Sequence, residues 1–359
     1  MGRIGGIAAA RFPGGGNGAG KDSRKGQNMK KSWTAAVLGG VLLCGMLFSA
    51  GCGGRTVPGA DSGSAGYTVT DASGREVTIP KKPEKILGTT SFVDAMLLGV
   101  VTADHLAGAT AADRDPAISY IAEETKDIPL TVPLMGLPAE LIAQAKPDLI
   151  VASTYTKQDD LELYRSMGIP VVVVKGPKNL EEVKESVRLI AAAAGEKERG
   201  EKVVARMEEK LAEAERVLSE ETGPKPKVYL ISQMTRWGGP GSMYDDLLTR
   251  ARLDNAIGLA GARNGQTVSP EMLFKTDPDI FFVSTDRESD QTGAGKYRDA
   301  FLANPAVAQM RAAQHTVPVQ DKYIYSADQN SVYAIMAFAN AGYGKPLFDL
   351  SEAKQIRGY

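Results

Sequence analysis

Cysteine, histidine and tryptophan are nearly missing: the 359 residues contain two of each. Two cysteines exclude a disulfide framework, and so small a stock of Cys and His argues against a structural zinc site. An excess charge of one sign is missing too. Forty-two basic residues face 43 acidic ones, a net charge of −1, so nothing marks a nucleic-acid-binding surface. The motifs of common catalytic machinery are absent: there is no Gly-x-Ser-x-Gly elbow, P-loop lysine, His-Glu-x-x-His or Cys–His pairing. Two carboxylates would suffice for glycoside hydrolysis, and this chain has many, but without a nucleophile motif a binder is the better reading. What the chain has is length and apolar content. With 43% hydrophobic residues, it can build two domains with proper cores.

Residues 1–28 are rich in Gly, Arg and Lys and show no apolar periodicity. At Met29 the character changes to MKKSWTAAVLGGVLLCGMLFSAGC, with Lys30 and Lys31 before an apolar run that reaches Ala50. The run is short for a membrane span, and a Gly/Ser/Ala-rich tract follows it instead of a basic stop-transfer cluster. An export signal over about 29–51 is expected, inside an N-terminal extension of 1–51, with Met29 a more natural start than Met1. The Ser49-Ala50-Gly51-Cys52 run resembles a bacterial lipobox, in which Cys52 is diacylated and becomes the first mature residue. Ser49 departs from the usual Leu. Cys44 and Trp33 would leave with the signal, and 52–66 would form a flexible tether.

Two stretches repeat. ELIAQAKPDLIVAST (140–154) and EMLFKTDPDIFFVST (271–285) place Glu140 and Glu271, Pro147 and Pro278, and Thr154 and Thr285 at one constant offset of 131. Each copy reads as a short helix, a Pro-Asp break and an apolar strand that runs into a polar loop. A repeat of this length implies two halves built alike. Between them lies the charged run Glu196 to Glu220. Val203, Val204, Met207, Leu211, Ala214, Val217 and Leu218 form a helical stripe in it, and Gly223-Pro224 stops it. The pattern predicts a rod joining two lobes: a first lobe over 67–195, a connecting helix over 196–222 and a second lobe over 223–359.

Within the first lobe, Tyr67 to Pro83 alternates around Ser73-Gly74 and reads as a hairpin. Then come ILGTT (86–90), a helix from Phe92 to Leu98, a strand near Leu106 to Ala109, a helix over 161–167, the buried strand VVVV (171–174) and a helix over 180–194. Beyond the rod follow VYLIS (228–232), a Gly-rich loop, a helix from Tyr244 and the second repeat copy. Strands alternating with helices predict an α/β fold with mainly parallel sheets.

The set VTDASGREVTIPKKPEKIL, DAMLLGVVTADHLAGAT, the two Glu…Pro-Asp repeats, GGPGSMYDDLL and the mid-chain helix resembles the substrate-binding proteins of ABC importers for ferric siderophores, haem and cobalamin. The likeness runs from Tyr67 to about Leu350. It implies two Rossmann-like lobes hinged stiffly by one long backbone helix, with the ligand in the cleft between them. It also implies a monomer anchored outside the cytoplasm by a lipid, with no cofactor of its own, that serves a permease and ATPase. In that family a glutamate at the tip of each lobe pairs with permease arginines, and Glu140 and Glu271 match those positions. A first-turn carboxylate also complements a helix dipole with no partner at all.

Open parallel sheets bind at the carboxyl ends of their strands. The candidate loops are therefore Thr89-Thr90-Ser91-Phe92, Asp113-Arg114, Met135-Gly136 and Thr154-Tyr155-Thr156-Lys157 in the first lobe. In the second they are Gln233 to Ser242, Arg263-Asn264 and Asp286-Arg287. Phe92, Tyr155 and Trp237 offer flat faces, while Arg114, Arg236, Arg263 and Arg287 could neutralise a carboxylate or catecholate. Gly238, Gly239 and Gly241 fit either an anion-binding turn or a simple tight turn. Arginine outnumbers histidine, which puts a ferric siderophore first as cargo. Haem or a corrinoid, with Tyr155 or Met135 as axial donor, is the alternative, and zinc or manganese ranks last. His105 reads as structural, and His315 is a remote candidate for an iron chelate.

Overall fold

The computed structural model describes residues 66–133, 136–232, 234–284 and 294–359. The expected signal, Cys52, the tether, Met135, Gln233, Asp286 and Arg287 lie outside the described residues.

The first lobe opens with an antiparallel hairpin, β1 (Tyr67–Thr70) and β2 (Glu76–Ile79), with Tyr67 opposite Ile79. Asp71 makes the turn. Its carboxylate accepts the Ser73 N–H at 2.8 Å, the Ser73 hydroxyl at 2.6 Å and the Arg75 N–H at 3.0 Å, and Gly74 takes φ +81°. There follow β3 (Ile86–Gly88), α1 (Ser91–Val100), β4 (Ala109–Thr110), α2 (Ala122–Thr125), β5 (Thr131–Val132), α3 (Ala139–Ala145), β6 (Leu149–Ser153), α4 (Gln158–Ser166), β7 (Val171–Val174) and α5 (Leu180–Ala193). Strands β3, β6 and β7 form a parallel sheet in that order, and β4 pairs with β5. Leu106 bridges to Ile86 and so carries the β4 segment to the β3 edge.

Helix α6 (Lys197–Leu218) crosses to the second lobe as 22 uninterrupted residues, about 33 Å long at the α-helical rise. Gly200, Val203, Val204, Met207, Ala214 and Leu218 are its buried face. It packs on α5 so closely that a Cβ on Gly200 would lie 2.4 Å from the Ala191 Cβ.

The second lobe contains β8 (Lys227–Ile231), α7 (Met243–Arg250), β9 (Asp254–Asn255), α8 (Ala256–Leu259), α9 (Pro270–Thr276), β10 (Ile280–Ser284), α10 (Ala294–Leu302), α11 (Pro305–Ala308), β11 (Thr316–Val319), α12 (Asp321–Ile324) and α13 (Ser331–Tyr343). Its sheet is parallel, in the order β11-β10-β8-β9. Both sheets are covered on two faces, which explains their near-continuous apolar runs. Along β10, Ile280 and Phe282 face the core shared with α6 and α13, while Phe281 and Val283 face a second cluster beneath α8 and α9.

The repeat is visible in three dimensions. Helices α3 and α9 occupy equivalent positions 131 residues apart, and both end in a left-handed residue, Lys146 at φ 48° and Asp277 at φ 44°. After each proline, an aspartate holds the start of the neighbouring strand. Asp148 accepts the N–H groups of Glu84 at 2.9 Å and Lys85 at 3.0 Å, and Asp279 accepts that of Lys227 at 2.8 Å. Pro-Asp thus ends a helix and sets the register of the central strand pair in each lobe.

Candidate functional site

The carboxyl ends of the two parallel sheets face each other across a seam. Tyr120, which follows β4 in the first lobe, packs edge-on to Tyr323 of α12 with centroids 6.3 Å apart, and lies 5.8 Å from Tyr333 of α13. The Lys322 ammonium caps this trio, 5.4 Å from the Tyr120 ring and 5.3 Å from that of Tyr323. The loops at the carboxyl ends of the strands make up a rim on each lobe.

One turn is built twice on that rim. After β6, the Ser153 hydroxyl accepts the Tyr155 N–H at 3.3 Å, and Thr156 Oγ1 accepts the Ser153 N–H at 3.3 Å. After β8, the Ser232 hydroxyl accepts the Met234 N–H at 3.0 Å, and Thr235 Oγ1 accepts the Ser232 N–H at 2.9 Å. Each Ser-x-x-Thr turn pushes its third side chain outward: Tyr155 is 58% exposed and Met234 51%. Phe92, in the first turn of α1, stands edge-on to Tyr155 at 6.3 Å. On the other lobe Trp237 is 50% exposed, with the Arg236 guanidinium 4.8 Å over its ring and Gly265 beneath it. Tyr325, just past α12, reaches the Ser232 hydroxyl at 2.5 Å. The sequence carries no signal for it, because nothing there brings the residue after α12 to the Ser232 turn at the end of β8.

The arginines divide. Arg114 does not point its charge at the rim in the way the sequence reading required: its guanidinium bonds the carbonyls of Thr125, Ile128 and Leu130 and the Thr131 hydroxyl, pinning the chain into β5. Arg236 bonds the Gly265 carbonyl at 3.1 Å and stacks on Trp237. Arg263 is exposed beside them, in the loop that crosses Gly239 so closely that a Cβ there would lie 2.9 Å from the Asn264 nitrogen. The glycine loop works as a turn and helix cap. Gly241 donates its N–H to Asp245 at 3.0 Å, and Asp245 donates its own to Ser242 at 3.2 Å.

Both histidines sit at the wrong ends of their strands. His105 closes the turn before β4 and lies 3.3 Å from the Thr102 hydroxyl; His315 directly precedes β11. Among the described residues, no group of three or more His, Cys, Asp or Glu is placed to hold a metal ion.

The carboxyl groups of Asp94, Asp113 and Asp328 are buried near the seam. Burial first, then the neighbouring Asp113, push the Asp94 carboxyl well above the usual range. Burial pushes Asp328 up to about 6, against hydrogen bonds from Asn330 and Ser326. Glu140 and Glu271 are exposed in the first turns of α3 and α9. The Ser269 hydroxyl, then the backbone at Glu271 itself, hold the Glu271 carboxyl below its ordinary range. A cavity of about 520 Å³ at the α5–α6 corner, lined by Tyr67, Lys82 and Glu196 among others, includes no rim residue.

Two parallel-sheet lobes, bridged by one long helix and facing each other with their strand ends, define a two-lobed binding protein. The family model for periplasmic binding proteins matches residues 86–318, and the chain belongs to that family. An uncharacterized ABC transporter substrate-binding lipoprotein of Bacillus subtilis (strain 168), YvrC, is 25% identical over 274 residues, covering 71% of this chain and 80% of the relative. The periplasmic heme-binding protein RhuT from Roseiflexus sp. RS-1, in apo form, superposes with a TM-score of 0.63 at 22% identity, covering 73% of this chain and 98% of that one. A periplasmic heme-binding protein from Pseudomonas aeruginosa superposes with a TM-score of 0.60 at 17% identity, covering 74% and 96%. The protein is thus a substrate-binding component of ABC transport and not an enzyme. It works outside the cytoplasm with a permease and its ATPase, and what it carries is a transported ligand, not a cofactor. Among the described residues no helix is long and apolar enough to cross a membrane.

Proposed function

We propose that the protein captures a metal tetrapyrrole, haem or a corrinoid, between its lobes and delivers it to the permease. The observation that carries this reading is the rim: Phe92 and Tyr155 on one side, Met234, Trp237 and Tyr325 on the other. Flat apolar faces suit a planar macrocycle, and Tyr and Met are axial donors for its metal. The heme-binding names of proteins with the same fold point the same way. A ferric siderophore, first from the sequence, becomes the second reading. Arg236 and Arg263 lie together on the second lobe and favour it, but Arg114 is spent on main-chain carbonyls. Bare zinc or manganese has neither of the two histidines at the rim nor, among the described residues, a ligand cluster to support it.

The same reading assigns Cys52 to a lipid anchor behind a signal over 29–51, the residues 52–66 to a tether, and Glu140 and Glu271 to permease docking. Titration of the purified protein with haemin, cyanocobalamin and ferrichrome tests the cargo, because Trp237 is the sole tryptophan once Trp33 has been removed. Quenching by haemin or cyanocobalamin and none by ferrichrome is expected. Response to ferrichrome alone would install the siderophore reading, and response to zinc or manganese alone would reject both.

A further inference from the structure

The two lobes are joined a second time, without a covalent crossover. After α13 the chain leaves the second lobe, and residues 353–359 lie back across the first. Gln355 donates to the Ala95 carbonyl at 2.7 Å, Gly358 donates its N–H to the Gly99 carbonyl at 2.8 Å, and the Tyr359 hydroxyl reaches the carbonyls of Leu98 and Val101, each at 3.2 Å. The acceptors at Leu98 and Gly99 belong to the last turn of α1, whose carbonyls have no partner within the helix. Around this line the fit is tight. A Cβ on Gly358 would lie 2.1 Å from the Arg199 carbonyl oxygen of α6, and one on Gly99 would lie 2.7 Å from Gln329 Nε2. The Arg357 guanidinium pairs with Glu124 of α2, its carbonyl accepts from Arg206 of α6, and Arg199 stacks 5.2 Å over the Tyr359 ring.

The same segment is tied to the second lobe by a buried knot at the start of α13. Asn330 donates to Gln355 Oε1 at 2.6 Å and accepts the Ile356 N–H at 2.9 Å, while Gln329 donates to the Ala95 carbonyl at 2.6 Å. Gln329 and Asn330 are 0% and 1% exposed, so these bonds form away from water and leave costly orphans if broken. Helix α1 also reaches the rim, where Ser91 bonds Asp113 and Phe92 meets Tyr155.

From this geometry we infer that residues 353–359 are a strap that couples the second lobe to α1, restricting how far the lobes part and tying the Phe92 turn of the cleft to their relative position. Rotation about α6 must carry α1 with it or break the knot. The strap needs no ligand to act, so its test is independent of the cargo. Amide hydrogen exchange is followed in the purified protein, in Gly358→Leu, which cannot seat against Arg199, and in Gln355→Leu. Both variants should keep a single cooperative melt, while exchange accelerates about tenfold in the first turn of α1 and over 320–325 as local opening becomes easier. Acceleration confined to 351–359 would overturn the inference and leave the segment a passive tail. Should Gly358→Leu fail to fold, Tyr359→Phe deletes only the two hydroxyl bonds and should accelerate the same two regions to a smaller degree. Unchanged exchange there in Gln355→Leu and Tyr359→Phe would equally overturn it.

Discussion

Asp94 of α1 and Asp113 beyond β4 are both 0% exposed, and burial first, then the charge of Asp113, push the Asp94 carboxyl well above its usual range. Asp113 accepts hydrogen bonds from the Ser91 hydroxyl and from the N–H and hydroxyl of Thr110, the latter two at 2.8 Å. Asp328, across the seam, adds a third buried carboxyl whose own rise is sharpened by Asp113. A carboxyl whose folded pKa is raised binds its proton more tightly when folded. Its stabilising contribution is complete below the unfolded pKa and is lost as pH rises through the folded one. Between pH 7 and pH 5 the protein should therefore gain stability. For Asp328 the rise from 3.8 to about 6 corresponds to on the order of 3 kcal/mol over the full window. Asp328→Asn should be at least as stable as the parent at pH 7 and should show a flatter melting temperature against pH. A parent Tm that falls steadily from pH 7 to pH 5 would refute this account.

Gly200 marks the tightest place in the connecting element. With the Ala191 Cβ only 2.4 Å from where a Cβ would stand, Gly200→Leu must push α5 off α6 and should cost about 1–3 kcal/mol, as overpacking does. The exposed Lys202→Leu, two residues along the same helix, should stay within about 0.5 kcal/mol of the parent. Thermal denaturation of the pair checks it, and equal effects would remove the packing explanation.

These features were unequally legible in the sequence. The 131-residue repeat announced the duplicated helix–strand unit, and α3 with α9 and β6 with β10 fall where it placed them. Apolar periodicity announced α6, because an amphipathic stripe records one buried face. What the repeat could not show was the use of Asp148 and Asp279, since each bonds to a strand far away in the chain. The rim was only half legible. Loops after strands could be named, and Tyr155 and Trp237 stand exposed on them, but side-chain direction there is set by hydrogen bonds with no periodic signature. The bonding of Arg114 was hidden for that reason: its partners at Thr125, Ile128 and Leu130 are backbone atoms, and backbone carries no sequence signal. The strap was invisible too, because a short irregular segment ending in Arg-Gly-Tyr resembles any loop.

If Glu140 and Glu271 dock the permease, Glu140→Lys with Glu271→Lys should abolish uptake in cells while ligand affinity of the purified variant stays within about twofold of the parent, because exposed charges away from a site act mainly on encounter and register. Loss of ligand affinity in step with uptake would return both residues to the role of helix N-terminal carboxylates.

Lipidation at Cys52 makes a separate prediction. Protein extracted from membranes should begin at a diacylglyceryl-modified Cys52, and Cys52→Ala should appear in the soluble fraction. A membrane-bound Cys52→Ala variant retaining residues 29–51 would show that the apolar run itself is the anchor.

The cargo prediction can be carried to single atoms. If a haem or corrinoid sits between the lobes, its metal lies within reach of a donor on the rim, and among the described residues the donors there are the Tyr155 and Tyr325 hydroxyls and the Met234 sulfur. Tyr325 has the best-defined geometry: Ser232, fixed by its own turn, holds the phenol at 2.5 Å, which orients a donor much as outer partners orient metal ligands. Tyr325→Phe should therefore shift the visible spectrum of the haemin-loaded protein and weaken haemin binding about tenfold or more, on the order of 1.4 kcal/mol. Trp237→Ala removes only an apolar face, so it should weaken binding while leaving the spectrum in place. Tyr155→Phe and Met234→Leu complete the set, since either would produce the spectral change instead if the ligand seats nearer its turn. An unaltered spectrum in all three donor variants and in Met135→Leu would mean that none of these residues bonds the metal, and would favour a chelate whose iron is already saturated.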